Sequence, residues 1–77
     1  MDLDQFIKDF AAEFEMTEPE EIMAETSYRE LDEWDSLLGL AIIGMANNKY
    51  HVKITGEEVR NAKTVENLFN LVKSRQV

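Results

Sequence analysis

Asp35-Ser36-Leu37 is the stretch on which the fold of this chain depends, because a strongly acidic segment ends there and an uncharged, mostly apolar run begins. Asp is a favoured N-cap, since its carboxylate accepts hydrogen bonds from the free N–H groups of a helix's first turn. Asp35 is therefore predicted to cap a helix that starts at Ser36. The N–H groups and the dipole at such a helix end favour an anion, so a phosphate ester on Ser36 would be well placed.

The run from Ser36 to Tyr50 predicts the second of four helices. Its apolar residues show no clear period, but a run of this length favours a helix over a buried strand. Gly39 and Gly44 weaken this helix by about 1 kcal/mol each relative to Ala, or let another backbone approach closely. The predicted inward stripe consists of Ile42, Ile43, Ala46 and Tyr50. The apolar residues left outside it, which we expect to form a partner-binding surface, are Leu37, Leu38, Leu40, Ala41 and Met45.

The sequence before this helix predicts an amphipathic first helix and a long loop. An apolar stripe with helical spacing places the first helix at about residues 3–16, and Pro19 ends the pattern. The members of the stripe are Leu3, Phe6, Ile7, Phe10, Ala11 and Phe14. Residues 17–35 are rich in acids but are interrupted by apolar side chains, so we expect a packed loop rather than a disordered linker, with a short helical turn over residues 20–24.

The sequence after the second helix predicts a short extended link and two further helices. A capping box formed by Thr55 and Glu58 begins a brief third helix around residues 57–61, and Thr64 caps the fourth. The apolar residues of the link are Val52 and Ile54, and those of the fourth helix are Val65, Leu68, Phe69 and Val72. The expected fold is all-α: a four-helix bundle with a long loop between the first two helices and a short third helix, in one domain over residues 1–77.

The charge of the chain limits the kinds of molecule that it is expected to bind. The chain has a net charge of −8, which argues against nucleic acid and anionic membrane surfaces, because both reward clustered Lys and Arg. Residues 1–35 carry −11 and residues 36–77 carry +3, so basic proteins are the expected partners. The longest apolar run, Leu37 to Ala46, is about half the length that a membrane span needs. No signal peptide is recognisable, and we expect a cytoplasmic, monomeric protein.

The chain has no cysteine, so it offers neither disulfides nor thiolate ligands for a metal. Any thiol chemistry would therefore need an imported group. With 77 residues the chain is also too small for a deep cleft between two domains, which is where many enzymes bind their substrates.

The whole layout resembles the acyl carrier proteins, whose Asp-Ser-Leu motif begins the second helix and holds a 4′-phosphopantetheine arm on the serine. The long loop before the motif and the Thr64-Val65 start of the last helix also match the family. The resemblance implies that a phosphopantetheinyl transferase attaches the arm from coenzyme A to Ser36, between Asp35 and Leu37. It further implies a carrier that is not an enzyme, holding acyl groups as thioesters for acyl-transferring and chain-elongating enzymes of fatty acid or polyketide-type biosynthesis.

The chain departs from typical members in its second helix. Carriers of general fatty acid synthesis have several acids there, whereas residues 36–48 contain no charged side chain. The positions where acids are usual hold Leu38, Ala41, Asn47 and Asn48, and Trp34 replaces the more common Gly before the motif. The resemblance is therefore closer to a specialised carrier.

Three other functions compete with this interpretation. A small helical adaptor without a prosthetic group would use the exposed apolar helix face as its binding site. A calcium-binding EF-hand loop beginning at Asp32 would place Leu37 where Gly is needed and Ile43 where a bidentate Glu is needed, so no metal site is expected. A hydrolase with Ser36 as nucleophile and His51 as base would lack both the usual motif around the serine and a third residue of a triad.

Overall fold

Four α-helices and two short 3₁₀ helices form the fold in the computed structural model, which describes residues 2–76. The α-helices are α1 (Leu3–Ala11), α2 (Ser36–Tyr50), α3 (Gly56–Asn61) and α4 (Val65–Arg75), and the 3₁₀ helices span Pro19–Glu21 and Tyr28–Glu30. No strand occurs within this described part of the chain, so the prediction of an all-helical fold is confirmed. None of the helices between residues 2 and 76 has the length and apolar character needed to cross a membrane.

The core lies between α1, α2 and α4, and aromatic side chains of α1 form its centre. Phe6 and Phe10 are fully buried. The ring of Phe6 meets the edge of Phe69 of α4 at a centroid distance of 5.5 Å, and Phe10 meets the edge of Tyr28 of the loop at 5.3 Å. Edge-to-face pairs at these distances are favourable beyond the area they bury. The loop is therefore part of the core, as predicted from its apolar residues.

α1 is shorter than predicted. It ends at Ala11 rather than at about residue 16, although Phe14 of the predicted stripe is still buried. The N–H groups of Glu13 and Phe14 bond to carbonyls three residues back, at 3.2 and 3.0 Å, as in a tightening final turn. The apolar spacing thus identified a buried residue correctly but overestimated the extent of the helix.

Glu33 provides the physical reason for the early end of α1. Its carboxylate accepts hydrogen bonds from the backbone N–H groups of Glu15, Met16 and Thr17 at 2.7, 2.9 and 2.7 Å, and from the Thr17 hydroxyl at 2.9 Å. These N–H groups are bound across the loop instead of to the preceding helical turn. Burial acts to raise the pKa of Glu33, but the hydrogen bonds outweigh it and the pKa is lowered.

The rest of the loop is held by bonds to α3 and α4. The Tyr28 hydroxyl donates to the Val59 carbonyl, and burial raises the pKa of Tyr28 to about 12. The N–H groups of Val65 and Glu66 at the start of α4 donate to loop carbonyls at 3.2 and 2.9 Å. The helical turn predicted over residues 20–24 is a 3₁₀ helix at Pro19–Glu21 instead, where proline suits the first position.

α2 begins and ends where the sequence predicts, and Ile42, Ala46 and Tyr50 of the predicted stripe are buried, but the buried side is broader than predicted. Leu38 and Met45, expected outside, are only 8% and 3% exposed, and Ile43, expected inside, is half-buried. The buried residues are Leu38, Ile42, Met45, Ala46 and Tyr50. A helix that is apolar on most sides does not specify how wide its buried side is, so the prediction found the centre of that side but missed Leu38 and Met45. A Cβ placed at Gly39 or Gly44 would meet no backbone of another element within 4 Å, so the glycines do not serve close approach.

The second half of the chain follows its predicted caps. Capping boxes of Thr55 with Glu58, and of Thr64 with Asn67, begin α3 and α4. Arg75 at the end of α4 forms an ion pair with Glu58 and donates to the Lys53 carbonyl at 3.1 Å. The hydrogen bond from Arg75 is the main reason that the pKa of Glu58 falls to about 2. α3 is thus attached to α4 on one side and packs against α2 on the other.

Candidate functional site

Ser36 is the first residue of α2, and its side chain is exposed to solvent. Asp35 adopts an extended conformation, with φ −153° and ψ −177°. Its carboxylate accepts a hydrogen bond from the N–H of Leu38 at 2.8 Å, and its carbonyl accepts one from the N–H of Gly39 at 3.0 Å. The predicted N-cap is therefore confirmed, and it determines where the helix starts and where the Ser36 hydroxyl lies.

The start of α2 offers favourable electrostatics for an anion on Ser36. The first turn of α2 contains no acidic residue. Early N–H groups of a helix point out of its N-terminus, and the helix dipole adds a partial positive charge there. The hydroxyl of Ser36 makes no hydrogen bond to any residue between 2 and 76, so it is not occupied by a structural role. These residues fit a serine that bears a phosphate ester.

A groove of about 390 Å³ lies beside Ser36, between the N-terminal half of α2 and α3. This volume is within the range of about 300–1,000 Å³ that small-molecule sites usually have. The residues that line it are Trp34, Asp35, Ser36, Gly39, Leu40, Ile43, Gly56, Val59 and Arg60. A Cβ at Gly39 would lie 3.6 Å from Cζ2 of Trp34, so the absence of a side chain leaves the indole edge open to the groove.

The outer surface of α2 carries two exposed leucines next to Ser36. Leu37 is 75% exposed and Leu40 is 62% exposed, while Ala41 is half-buried beside them. Leu38 and Met45 do not join this surface because they face the core. The expected apolar surface therefore consists of three residues rather than five, and we call Leu37, Leu40 and Ala41 the apolar ridge.

Acidic side chains border the apolar ridge on one side. A shallow depression next to Leu37 and Ala41 is lined by Glu13, Glu15, Glu33 and Asp35. The sequence shows only that these acids belong to the first 35 residues, which carry −11. No signal within the sequence could have placed Glu13 beside α2, because the contact depends on how α1 and the loop pack.

The sequence also did not predict that α3 forms one wall of the groove. The capping box predicted that a third helix exists, but not that Gly56, Val59 and Arg60 would face Ser36. Contacts between helices depend on tertiary packing, whereas capping boxes are local and span three residues.

The geometry bears on two of the competing interpretations, the hydrolase and the EF-hand. Ser36 and His51 lie at opposite ends of α2, and at about 1.5 Å per residue this separates them by roughly 22 Å along the helix axis. His51 is thus not placed to act as a base for Ser36. In the EF-hand loop considered above, which would begin at Asp32, residues 36–43 are α-helical. The part of the chain that the structure describes holds no cluster of three potential metal ligands.

Comparisons with known proteins identify the family of the chain. A family model described as "Phosphopantetheine attachment site" matches residues 5–72, from α1 into α4. The chain is 37% identical over 59 residues to an acyl carrier protein of Kocuria rhizophila, and the alignment covers 77% of this chain and 73% of that protein. No solved structure matches the chain significantly. The chain therefore belongs to the acyl carrier proteins, the family whose members hold acyl groups on a covalently attached 4′-phosphopantetheine arm.

Proposed function

We propose that Ser36 is the residue that holds the phosphopantetheine arm, and that the chain carries acyl intermediates for fatty acid or polyketide-type biosynthesis. The observation that supports this most strongly is the exposed, hydrogen-bond-free hydroxyl at the first position of α2. The matched region contains one other serine, Ser27, which precedes a three-residue 3₁₀ helix and has no α-helix N-terminus beside it. Ser36 alone combines the Asp-Ser-Leu motif with a capped helix start.

The threonines of the matched region are engaged in other roles. Thr55 and Thr64 cap α3 and α4, and Thr17 donates its hydroxyl to Glu33. Thr26 accepts a hydrogen bond from the Met23 N–H at 2.8 Å. Modification of any of them would remove a bond that holds a helix start or the loop, whereas modification of Ser36 would remove none.

Asp35 and Leu37, on either side of Ser36, each have a role that suits a carrier. The bound arm supplies the thiol on which an acyl thioester forms, and this cysteine-free chain has no thiol of its own. Asp35 places the serine at the N-terminus of α2, where the N–H groups of the first turn favour the negative phosphodiester. Leu37 stands exposed directly after the serine, where an enzyme approaching the modified residue would contact it.

The test is loading followed by mass measurement. The purified chain, coenzyme A and a transferase of broad specificity should yield a protein that gains one phosphopantetheine by intact mass. Ser36→Ala should abolish the gain, and the matched variant Ser27→Ala should keep it. A gain that survives Ser36→Ala would show that the arm is elsewhere. No gain with several active transferases would overturn the proposed function in favour of the adaptor without a prosthetic group.

The apolar ridge is the proposed contact surface for the phosphopantetheinyl transferase and for acyl-transferring and chain-elongating enzymes. Leu38 and Met45, initially expected on this surface, are buried in the core and are not part of it. The acids that border the ridge all lie between the end of α1 and the start of α2, because α2 has only Lys49 as a charged residue. We therefore expect partners with an apolar hollow for Leu37 and Leu40 and with basic residues to one side of it. A specialised pathway is supported by the absence of acidic residues from α2.

A further inference from the structure

We propose that Arg60 of α3 binds the phosphodiester on Ser36 and thereby holds the arm in the groove between α2 and α3. Arg60 would be a positioning residue of the carrier, and the inference rests on the proposed modification of Ser36. The arm would then be retained against the protein between encounters with enzymes, instead of extending freely into solvent.

The first support is the position of the two residues. Ser36 and Arg60 lie on different helices but line the same groove. Any group joined to Oγ of Ser36 therefore begins at the wall of that groove. A guanidinium nitrogen of Arg60 lies 3.4 Å from the point that a Cβ at Gly56 would occupy, so glycine leaves the guanidinium room to lie back against the first turn of α3.

The second support is charge. Within residues 2–76 Arg60 makes no hydrogen bond and no ion pair, whereas Arg75 is bound to Glu58. A guanidinium suits a phosphate because its N–H groups form paired, charge-assisted hydrogen bonds with phosphate oxygens. Asp35 also lines the groove and would repel an anion, but its carboxylate is bound to the N–H of Leu38 at 2.8 Å. Arg60 supplies the positive charge that offsets Asp35.

The third support is the remainder of the lining. Leu40, Ile43 and Val59 present hydrocarbon surface, which suits the aliphatic part of a pantetheine group. Trp34 completes this lining and is half-buried, with its ring at 4.9 Å from that of Tyr28. An occupant of the groove would therefore cover part of the indole.

Trp34 makes the proposal measurable, because it is the chain's one tryptophan. We would separate the unmodified and the phosphopantetheine-loaded protein, verify each by intact mass, and measure quenching of Trp34 fluorescence by acrylamide, which is uncharged. The phosphorus chemical shift is a second, independent measurement, because it reports on the phosphodiester that Arg60 is proposed to bind. The variants are Arg60→Gln and Arg60→Lys, with Arg29→Gln as the control, because Arg29 is exposed on the loop and does not line the groove.

We expect loading to reduce quenching of Trp34 in the parent and in Arg29→Gln. In Arg60→Gln the ratio of docked to free arm should fall by about two- to fivefold, as for loss of an exposed ion pair, and Arg60→Lys should recover part of it. The phosphorus shift should move with Arg60→Gln and not with Arg29→Gln. Equal quenching of loaded parent and loaded, folded Arg60→Gln would overturn this inference alone. Absence of any mass gain on Ser36 would overturn the proposed function and this inference with it.

Discussion

The loop before Ser36 and the helix after it both contribute to the core, but the loop relies far more on polar bonds between distant segments. The loop depends on hydrogen bonds that cross between distant segments, and the carboxylate of Glu33 alone receives four of them. α2 has one charged residue, Lys49, and is held by the apolar side chains that it buries. The serine lies at the boundary between these two regions.

The proposed function assigns a different role to each of these two regions. In the proposed function, enzymes contact the apolar ridge of α2, and the acids of the first 35 residues supply the long-range attraction. Long-range charge mainly accelerates encounter, whereas buried apolar contacts mainly determine how long a complex lasts. The following predictions test whether the two regions can be altered independently.

The largest expected effect comes from the core that both regions share. Phe10 is fully buried and contacts the aromatic rings of Phe14 and Tyr28. Phe10→Ala should lower the free energy of unfolding by about 3–5 kcal/mol, a large share of the stability of a small domain. Urea unfolding measures this directly. Met16→Ala, at an exposed position, is the control and should change little, and an unchanged midpoint for Phe10→Ala would contradict the core described above.

The apolar ridge should control the lifetime of enzyme complexes. Leu37→Ala and Leu40→Ala should each weaken binding to a cognate enzyme by about 1–3 kcal/mol if the leucine is a buried anchor, mainly through faster dissociation. Surface plasmon resonance separates the two rates. Both side chains are exposed, so each variant should keep the parent's melting temperature. Folded variants that dissociate as slowly as the parent would show that partners do not use the ridge.

Glu13 and Glu15, which lie beside the apolar ridge, should control how fast enzyme complexes form. The double variant Glu13→Gln with Glu15→Gln should slow association with a basic partner and leave dissociation nearly unchanged, and added salt should remove the difference. The matched control is Glu57→Gln with Glu66→Gln, which removes equal charge from α3 and α4. Equal slowing by both pairs would indicate that net charge matters rather than its location beside Ser36.

Glu33 should make the loop sensitive to pH in a way that α2 is not. Because its pKa is lowered in the folded state, the stability it contributes is present above its ordinary value of 4.5 and is lost as the pH falls through the folded-state pKa. Glu33→Gln should therefore lower the melting temperature at neutral pH, with a difference that shrinks below pH 4.5. Glu20→Gln, an exposed loop variant, is the control. A difference that persists unchanged into acid would contradict the role assigned to the carboxylate.

The smallest expected effect is a gain in stability within α2. A Cβ at Gly44 would meet no atom within 4 Å, apart from the helix's own backbone and its chain neighbours, so alanine fits there without strain. Gly44→Ala should raise the free energy of unfolding by about 0.5–1 kcal/mol, because alanine loses less conformational freedom in a helix. Thermal unfolding of parent and variant provides the measurement. A lower melting temperature would reveal an unrecognised contact at this position.

Local signals in the sequence determined the helix starts of this protein. Asp35, Thr55 and Thr64 each bind an N–H group three residues further along, so their effect is confined to one helical turn. The same locality explains why the bounds of α2 and the position of Ser36 could be predicted. The Asp-Ser-Leu motif and the order of helices were then sufficient to identify the family.

Tertiary structure alone decided the end of α1, the burial of Leu38 and Met45 on α2, and the second wall of the groove. Glu33 ends α1 by binding residues that precede it by 16 to 18 positions. Leu38 faces the core and Leu37 does not, because packing against α1 and α3 selects one side of a helix that is apolar on most sides. Arg60 reaches the groove through the packing of α3 on α2. Each of these features depends on residues far apart in the chain, and the local pattern contains no information on which of them will meet.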